Sequence, residues 1–279
     1  MDNTLRKLQL CQLNILKDID SICSEHNIRY FLFGGTVLGA VRHGGFIPWD
    51  DDLDIAMYRS DYKKFLEVMK ADLSGKYFLQ SPETDNTYPR IIAKVRLNGT
   101  IQQERSFEHI NCNNGIYIDV FPLDKVKNPN GLLIRLRGAI VRLALAYETV
   151  RCGSKNGHNM YLKKLMRLPV KLIPKRFVYS LLKWACERDN DSNCNYVTAF
   201  LSGYKWKRQL QSIDTYGSGT LMEFENGLFP VPVNPDAFLT SVYGDYMQLP
   251  PVNKRTAHKL TCIDFGVYDS ILENELNQE

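Results

Sequence analysis

Four aspartates, Asp50, Asp51, Asp52 and Asp54, lie close together in the stretch "FGGTVLGAVRHGGFIPWDDDLDIAMY", residues 33–58. Like charges within about 4 Å repel one another strongly unless water or a cation screens them. Asp52 and Asp54 are two residues apart at the start of an apolar segment, and a strand places such residues on one face. Paired carboxylates are the hard oxygen ligands that Mg²⁺ and Mn²⁺ prefer. The spacing therefore predicts a metal site, with a solvated acidic turn as the alternative.

A calcium-binding EF-hand loop that begins at Asp50 is excluded. Its sixth position would be Ile55 instead of glycine, and its twelfth would be Asp61 instead of glutamate. A metal held by two aspartates often serves phosphate chemistry, because it binds phosphate oxygens and neutralises developing charge. The D-x-D motif of a nucleotide-sugar glycosyltransferase therefore remains an alternative interpretation.

A glycine pair, Gly34 and Gly35, follows a short apolar run and precedes a predicted helix with Thr36 near its N-terminus. Glycines allow close approach to the backbone, and the free N–H groups of a helix N-terminus can donate to a phosphate. The stretch is not a Walker loop, because Ala40 follows Gly39 where that motif requires lysine. We therefore predict a phosphate site of a different type.

A third carboxylate, Asp119, lies in the apolar segment "GIYIDVFPL". A buried aspartate is costly unless it is paired or bound to a metal, so Asp119 is a candidate third ligand. The alternative is an aspartate that backbone N–H groups hold in place.

Two pairs of basic residues accompany these motifs. Arg42 and His43 lie between the glycines and the acids, where they can contact phosphate, although a structural hydrogen bond is an alternative for His43. Lys94 and Arg96, in "AKVR", share one face of a predicted strand. Such a pair suits a diphosphate, since arginine binds as a fork and lysine as a point charge. A solvent-facing edge strand is the alternative.

As a set, the strand, the glycine pair, the short helix and the D-x-D strand resemble the nucleotidyltransferase superfamily. The longer segment "GGTVLGAVRHGGFIPWDDDLDI" is similar to the signature of the LicD family, which shares its core with the fukutin-type phosphoribitol transferases. The resemblance extends through "AKVRLNGT", "GIYIDVFPLD" and the tail "YGDYMQLPPVNKRTAH", and therefore covers both ends of the chain.

The resemblance implies transfer of a phospho-alcohol, typically phosphocholine, from a CDP-linked donor such as CDP-choline to a sugar hydroxyl. The acceptor would be a cell-surface glycan, which can be lipid-linked, such as a lipopolysaccharide, capsule or teichoic acid precursor. Asp52, Asp54 and Asp119 would hold one or two Mg²⁺ or Mn²⁺ ions. Asp119 or Asp54 would accept the hydroxyl proton, and Asp50 would orient the acceptor. The phosphate-binding residues would be Gly34, Gly35, Thr36, Arg42, His43, Lys94 and Arg96. A nucleotidyltransferase that adds NMP to a small hydroxylated substrate is the alternative.

The segments around these residues predict an α/β fold, a nucleotidyltransferase-like mixed sheet with a helical insertion. Apolar spacing predicts a helix over residues 5–26, and Ser60 is expected to cap another. Strands are predicted at "IRYFLF", "LDIAMY", "RIIAKVRL" and "GIYIDVFPL". We therefore predict a catalytic core over residues 1–125, a basic helical insertion over 126–192, and a C-terminal segment over 193–279 that completes the core.

The charge is unevenly distributed, because residues 125–183 contain 14 Lys or Arg and one acid, Glu148, for a net +13. The other residues then hold 21 bases and 30 acids, for a net −9. A basic block favours a polyanionic partner, here an anionic membrane contacted through Arg135, Arg137 and Arg142, with a solvated helix surface as the alternative. Nucleic acid is not expected, since the block lacks interleaved exposed aromatic residues. The first predicted helix of this block has an apolar side that can pack on the core or on a bilayer, made of Leu132, Leu133, Leu136, Ile140, Leu143 and Tyr147.

The cellular compartment is predicted from cysteines and hydropathy. The seven cysteines are scattered without a C-x-x-C pair, which argues against a disulfide framework or a zinc site and favours a reducing compartment. The N-terminal residues do not resemble a signal peptide, and no run of 18 uncharged apolar residues exists. We therefore expect a cytoplasmic enzyme, with peripheral contact at the inner membrane face.

Overall fold

The computed structural model describes residues 3–71, 75–153, 169–255 and 257–278. The described helices are α1 (Asn3–Glu25), α2 (Gly34–His43), α3 (Arg59–Ala71), α4 (Leu132–Cys152), α5 (Lys175–Glu187), α6 (Ile213–Tyr216), α7 (Pro235–Tyr243) and α8 (Asp269–Leu276). The described strands are β1 (Phe31–Leu32), β2 (Asp54–Tyr58), β3 (Tyr77–Gln80), β4 (Ala93–Leu97), β5 (Ile101–Glu104), β6 (Tyr117–Val126), β7 (Tyr196–Thr198), β8 (Gln211–Ser212), β9 (Thr220–Phe224), β10 (Gly227–Val231) and β11 (Leu260–Asp264).

The main sheet is mixed and has the strand order β1-β2-β6-β4-β3, with β7 also paired to β6 and β8 to β7. β2 and β6 are parallel, whereas the other pairs are antiparallel. β6 is the longest strand and is buried at nearly every position, as expected for a strand with neighbours on both edges. The predicted mixed α/β fold is therefore confirmed.

The register of three neighbouring strands aligns the predicted site residues in one row. Asp54 on β2 lies directly opposite Asp119 on β6, and Asp119 lies opposite Lys94 on β4. Residues that are directly opposite one another project from the same face of a sheet. The sheet therefore brings two carboxylates and one ammonium group together from segments that are distant in the sequence.

Each helix and strand predicted above is present in the structure, but several begin or end at other residues: β1 has only two residues, β4 begins at Ala93, and β6 extends to Val126. The helix predicted over residues 5–26 is α1. Gly34 and Gly35 are the first two residues of α2 rather than a turn that precedes it. The prediction that Ser60 caps the next helix is wrong, because α3 already begins at Arg59, whose side chain is buried against Asp124.

Residues from the C-terminal segment join both sheets of the N-terminal region. β7 pairs with the last residues of β6, Asp124–Val126, and β8 pairs with β7. β11 pairs with β5. Two helices from the predicted insertion, α4 and α5, pack against each other. The division at residues 125 and 192 stays a prediction, and residues 154–168 of the insertion lie outside the described residues.

The packing of α4 differs from what its leucine pattern suggests. Its buried side carries Ile134, Val141 and Ala144, whereas Leu132 and Leu143 are exposed. Arg137 is also buried, and its guanidinium donates to the Ala185 carbonyl and pairs with Asp189. The expectation that Arg137 lies on an exposed basic surface is therefore wrong.

Candidate active site

A cavity of about 870 Å³ lies at the end of β2 and β6 where the acidic residues are placed. It is large enough for a nucleotide-sized ligand, since ligand pockets commonly measure about 300–1,000 Å³. The predicted site residues that line it are Gly34, Gly35, Arg42, Asp50, Asp52, Asp54 and Asp119. The structure therefore brings the glycine pair and four of the five aspartates of these motifs to one site.

The glycine pair permits the acids to approach the N-terminus of α2. Gly34 has a φ of +57°, and a Cβ at this position would lie 2.8 Å from Oδ2 of Asp54. A Cβ on Gly35 would lie 2.9 Å from Oδ2 of Asp50. The backbone N–H of Asp54 donates to Oγ1 of Thr36 at 2.9 Å, which ties the start of β2 to the first turn of α2. Side chains larger than hydrogen at positions 34 and 35 would displace the carboxylates.

The carboxylates of this cluster destabilise one another's charged forms. Burial, followed by repulsion from Asp52, raises the pKa of Asp50 to about 8. Burial, with the charges of Asp52 and Asp119, raises the pKa of Asp54 well above its usual range. Burial also raises the pKa of Asp52. A bound cation would remove this repulsion, so the cluster has the charge and the hard oxygen atoms that fit Mg²⁺ or Mn²⁺.

In the described part of the chain, Asp50, Asp51 and Asp52 form a group of carboxylates with closely spaced ligand atoms. One oxygen from each lies within 4.8 Å of the others. Asp52 belongs both to this group and to the predicted set with Asp54 and Asp119. Asp51 is less available to an ion, because both of its oxygens already accept hydrogen bonds from His258.

Lys94 contacts Asp119 at the base of the site. Its Nζ lies 2.6 Å from Oδ1 of Asp119, and its side chain is only 1% exposed. The Nζ also lies 3.2 Å from the centroid of the Tyr117 ring. Burial lowers the pKa of Lys94 to about 8, against the opposing effect of Asp119. Lys94 therefore supports a ligand-facing carboxylate but does not itself line the cavity, so its predicted phosphate contact stays a prediction.

Arg96 lies away from the cavity. Its guanidinium donates to the side-chain oxygen of Gln80 and to the carbonyl of Gly115, which connects β4 to β3 and to the residues before β6. The structure does not bring Arg96 to the acidic cluster, because these partners hold it within the protein. Its role as a phosphate ligand remains a prediction without support from this geometry.

Arg42 and His43 differ in their position relative to the cavity, although Nε of Arg42 contacts Nδ1 of His43 at 3.5 Å. Arg42 lines the cavity, and its Nη1 donates to the Tyr246 carbonyl at 2.7 Å. His43 is exposed and packs edge-on against Trp49, with ring centroids 6.3 Å apart. Arg42 is therefore placed to meet a ligand, whereas His43 lies outside the lining.

His258 is a site residue to which the sequence analysis assigned no role. Its backbone N–H and Nδ1 donate to the buried carboxylate of Asp51 at 3.0–3.1 Å. The hydrogen bond with Asp51 raises the pKa of His258 to about 9, so the ring is protonated at neutral pH. This ring also lies 3.7 Å from Asp52 and anchors the C-terminal tail to the acidic loop. The sequence feature that pointed toward His258 was the tail "VNKRTAH", which carried part of the family resemblance.

Two further basic residues line the cavity, Arg90 and Lys254. Arg90 pairs with Glu104 at 2.7 Å. Arg255, next to Lys254, lies over the ring of Trp49, 4.9 Å from its centroid. The site therefore combines a carboxylate cluster with cationic groups around it, an arrangement that can hold a metal and a diphosphate together.

Comparison with known proteins identifies a family domain that contains most of this site. Residues 27–131 match the family described as LicD/FKTN/FKRP, nucleotidyltransferase domain. The lipopolysaccharide cholinephosphotransferase LicD of Haemophilus influenzae is 29% identical over 267 residues, which cover 92% of this chain and 96% of that protein. The ribitol 5-phosphate transferase FKRP of Homo sapiens is 40% identical over 55 residues, 18% of this chain and 11% of that protein. An uncharacterized protein of Rickettsia prowazekii is 46% identical over 55 residues, 20% of this chain and 21% of that protein.

The matched segment begins just before β1 and ends just before α4, so it contains the glycine pair, the acidic loop, and strands β2, β4 and β6. His258 and Lys254 lie outside it and complete the cavity from the C-terminal tail. The predicted resemblance to the LicD family is confirmed over residues 27–131, which match the model of its nucleotidyltransferase domain.

Proposed function

We propose that this chain is a phosphotransferase that moves a phospho-alcohol from a CDP-linked donor to a sugar hydroxyl of a cell-surface glycan. The observation that carries the proposal is the convergence of Asp50, Asp52, Asp54 and Asp119 on one cavity beside the N-terminus of a glycine-rich helix. The names of two relatives, a cholinephosphotransferase and a ribitol 5-phosphate transferase, support transfer of a phospho-alcohol.

The donor diphosphate is held by groups on two sides of the cavity. The N-terminus of α2, at Gly34 and Gly35, offers N–H groups and a positive dipole end to phosphate oxygens. Arg42 and Lys254 approach from other elements. Asp52, Asp54 and Asp119 would hold Mg²⁺ or Mn²⁺, and the bound ion would neutralise phosphate charge.

The transferred group is phosphocholine, so that the alcohol is choline. Trp49, Tyr204, Tyr243 and Tyr246 all line the cavity. The face of an aromatic ring attracts a quaternary ammonium group, whereas a ribitol chain would require hydrogen-bonding partners instead. The aromatic residues of the lining therefore support choline, as does the name of the cholinephosphotransferase relative.

The reaction is an in-line displacement at the phosphorus that carries the alcohol. The acceptor hydroxyl oxygen forms a bond to this phosphorus, the bond from phosphorus to the bridging oxygen breaks, and CMP leaves with the electron pair. Asp119 or Asp54 accepts the hydroxyl proton, and Asp50 orients the acceptor. Lys94, at 2.6 Å from Asp119, holds that carboxylate in place.

Ligand-induced thermal stabilisation tests the donor class without knowledge of the acceptor. We expect CDP-choline with Mg²⁺ to raise the melting temperature more than CDP-ribitol, CTP or UDP-glucose, because a ligand that binds the folded state stabilises it by mass action. Turnover with a panel of sugar acceptors should release CMP. Pyrophosphate release from CTP would support the NMP-adding alternative, and UDP release from a UDP-sugar would support a glycosyltransferase.

A further inference from the structure

The outer side of α4 carries an apolar stripe that no described residue covers. Leu132, Leu136 and Leu143 are 80%, 53% and 71% exposed. These positions lie within about 40° of one another around the helix, given its rotation of about 100° per residue. Ile134 and Val141 are buried on the opposite side. The stripe is therefore a continuous surface feature and not part of the core.

Helix α5 carries a similar stripe. Phe177, Leu181 and Trp184 follow the i, i+4, i+7 spacing of one helix face, and Phe177 is 62% exposed. The buried residues of α5 lie on its other side and include Leu182 and Ala185. Helices α4 and α5 pack against each other, so the two stripes lie on neighbouring elements.

Basic residues flank both stripes. Arg135 and Arg142 are exposed on α4, and Arg176 and Lys183 are exposed on α5. The single acid of residues 125–183 is Glu148, which is 2% exposed and therefore does not offset these charges at the surface. Both helices thus combine large exposed apolar side chains with exposed basic side chains.

We propose that the exposed face of α4, made of Leu132, Leu136 and Leu143 with the flanking Arg135 and Arg142, docks the chain on an anionic lipid bilayer. A helix in the bilayer interface has apolar residues on one side, with Lys and Arg beside them for the anionic headgroups. Nucleic acid fits less well, because exposed leucines gain nothing from a phosphate backbone. A second copy of the chain would place like charges against each other.

The same helix connects this face to the candidate active site. Leu145, Glu148 and Thr149 line the cavity from the side of α4 that is opposite the leucine stripe. The cavity would then lie about one helix diameter, about 10 Å, from the bilayer surface. If the proposed transferase function holds, a lipid-linked glycan is the class of acceptor that this position favours.

Vesicle co-sedimentation of the full chain, without donor or metal, tests docking independently of the proposed reaction. We expect binding to vesicles of phosphatidylcholine mixed with phosphatidylglycerol, weaker binding to pure phosphatidylcholine, and loss of most binding at about 0.5 M salt. Changing Arg135→Glu and Arg142→Glu together should weaken the partition coefficient at least about thirtyfold, from the contribution of each base near an anionic leaflet. Leu136→Ser with Leu143→Ser should weaken it at least about tenfold.

Matched changes elsewhere separate docking from general effects of charge or hydrophobicity. Lys17→Glu with Lys64→Glu reverses two exposed bases on α1 and α3. Leu221→Ser with Leu228→Ser removes two leucines that are 64% and 63% exposed on the β9–β10 hairpin. Both control variants should bind vesicles nearly as well as the unchanged chain. All substituted side chains are exposed, so circular dichroism should report an unchanged fold.

Three outcomes would overturn the proposal. They are equal partition onto neutral and anionic vesicles, no partition onto either, and equal loss of binding in the control variants. Concentration-dependent dimerisation that Leu136→Ser and Leu143→Ser abolish, without any vesicle binding, would assign the face to a second copy of the chain.

Discussion

The parallel strand pair β2–β6 carries an aspartate-based charge cluster at each end, and the two ends are built differently. At one end Asp54 lies opposite Asp119, so that two carboxylates face each other beside the cavity. At the other end, the last residue pair is Tyr58 with Leu123. Arg59 and Asp124 follow these residues, and Arg59 donates two hydrogen bonds to Asp124, at 2.7 and 2.6 Å. One cluster is a repulsive set of acids, and the other is a matched ion pair.

Neighbouring charges favour the ionised form of Arg59 at one end of the strand pair and disfavour the ionised form of Asp54 at the other. Burial would lower the pKa of Arg59, yet the charge and hydrogen bonds of Asp124 raise it. Asn190 also donates to Asp124, which has no solvent exposure. At the cavity end, burial and repulsion act together to raise the pKa of Asp54. The charges of the matched pair therefore stabilise each other, whereas the acids at the cavity end destabilise one another's charged forms, a repulsion that a bound cation would relieve.

The largest expected effect is the loss of turnover in Asp54→Asn. Removing one charge from a catalytic unit of several carboxylates should reduce kcat by at least about 10⁴-fold, equivalent to about 5.5 kcal/mol of transition-state stabilisation. The same change relieves repulsion, so the free energy of unfolding of the metal-free protein should not fall. A CMP-release assay and urea unfolding measure the two effects. Turnover like that of the unchanged chain would remove Asp54 from the site.

The matched substitution at the other end, Asp124→Ala, should show the reverse pattern. It leaves the buried Arg59 without its partner, which should lower the free energy of unfolding by about 3–5 kcal/mol. Donor binding per folded molecule should be nearly unchanged, because Asp124 does not line the cavity. Urea unfolding measures the change in stability, and titration of CDP-choline into the folded protein measures donor binding. A change below about 1 kcal/mol would contradict the structural role of the pair.

Two glycines in the left-handed region provide a finer comparison. Gly34→Ala should destabilise the protein by more than the backbone cost of about 1–2 kcal/mol, because the new Cβ meets Oδ2 of Asp54 at 2.8 Å. Gly44 has a similar φ, +68°, and a Cβ there would meet nothing within 4 Å. Gly44→Ala should therefore cost only the backbone term and retain turnover, whereas Gly34→Ala should lose it. Equal behaviour of the two variants would show that the approach of Asp54 to α2 is unimportant.

His258→Ala should have the smallest effect of the four. It removes the side-chain hydrogen bond to Asp51 but leaves the backbone hydrogen bond, so we expect a loss of about 1–3 kcal/mol in stability. The tail should then protect the acidic loop less well in hydrogen–deuterium exchange. His258→Asn, which can still donate, should restore part of the protection. Unchanged exchange at residues 50–54 in the alanine variant would contradict this anchoring role.

Local patterns predicted the acidic end of the sheet well. The D-x-D spacing, the glycine pair and an aspartate in an apolar strand each depend on residues that are near one another in sequence, and together they located Gly34, Asp52 and Asp119. The pairing of Asp51 with His258 joins residues 207 positions apart, so no local pattern can reveal it.

Two predictions failed because sequence periodicity shows which residues share a face of a helix or strand, but not what packs against that face. The alternation in "AKVR" correctly placed Lys94 and Arg96 on one side of β4, yet only the folded chain shows that Arg96 meets Gln80 and Gly115 there. The leucine spacing of α4 likewise predicted one apolar side, while the structure places Leu132 and Leu143 outside. In both cases the missing information is the tertiary packing.

The acidic cluster, unlike the Arg59–Asp124 pair, has the charge and the oxygen ligands to receive a divalent cation. Calorimetric titration of Mg²⁺ and Mn²⁺ into the metal-free chain, with Asp52→Asn as the comparison, tests this most directly. We predict saturable binding with an increase of about 2.7 kcal/mol in unfolding free energy at a hundredfold excess over Kd. The Asp52→Asn variant should lose this binding. No binding to the unchanged chain, or equal binding to the variant, would contradict the claim.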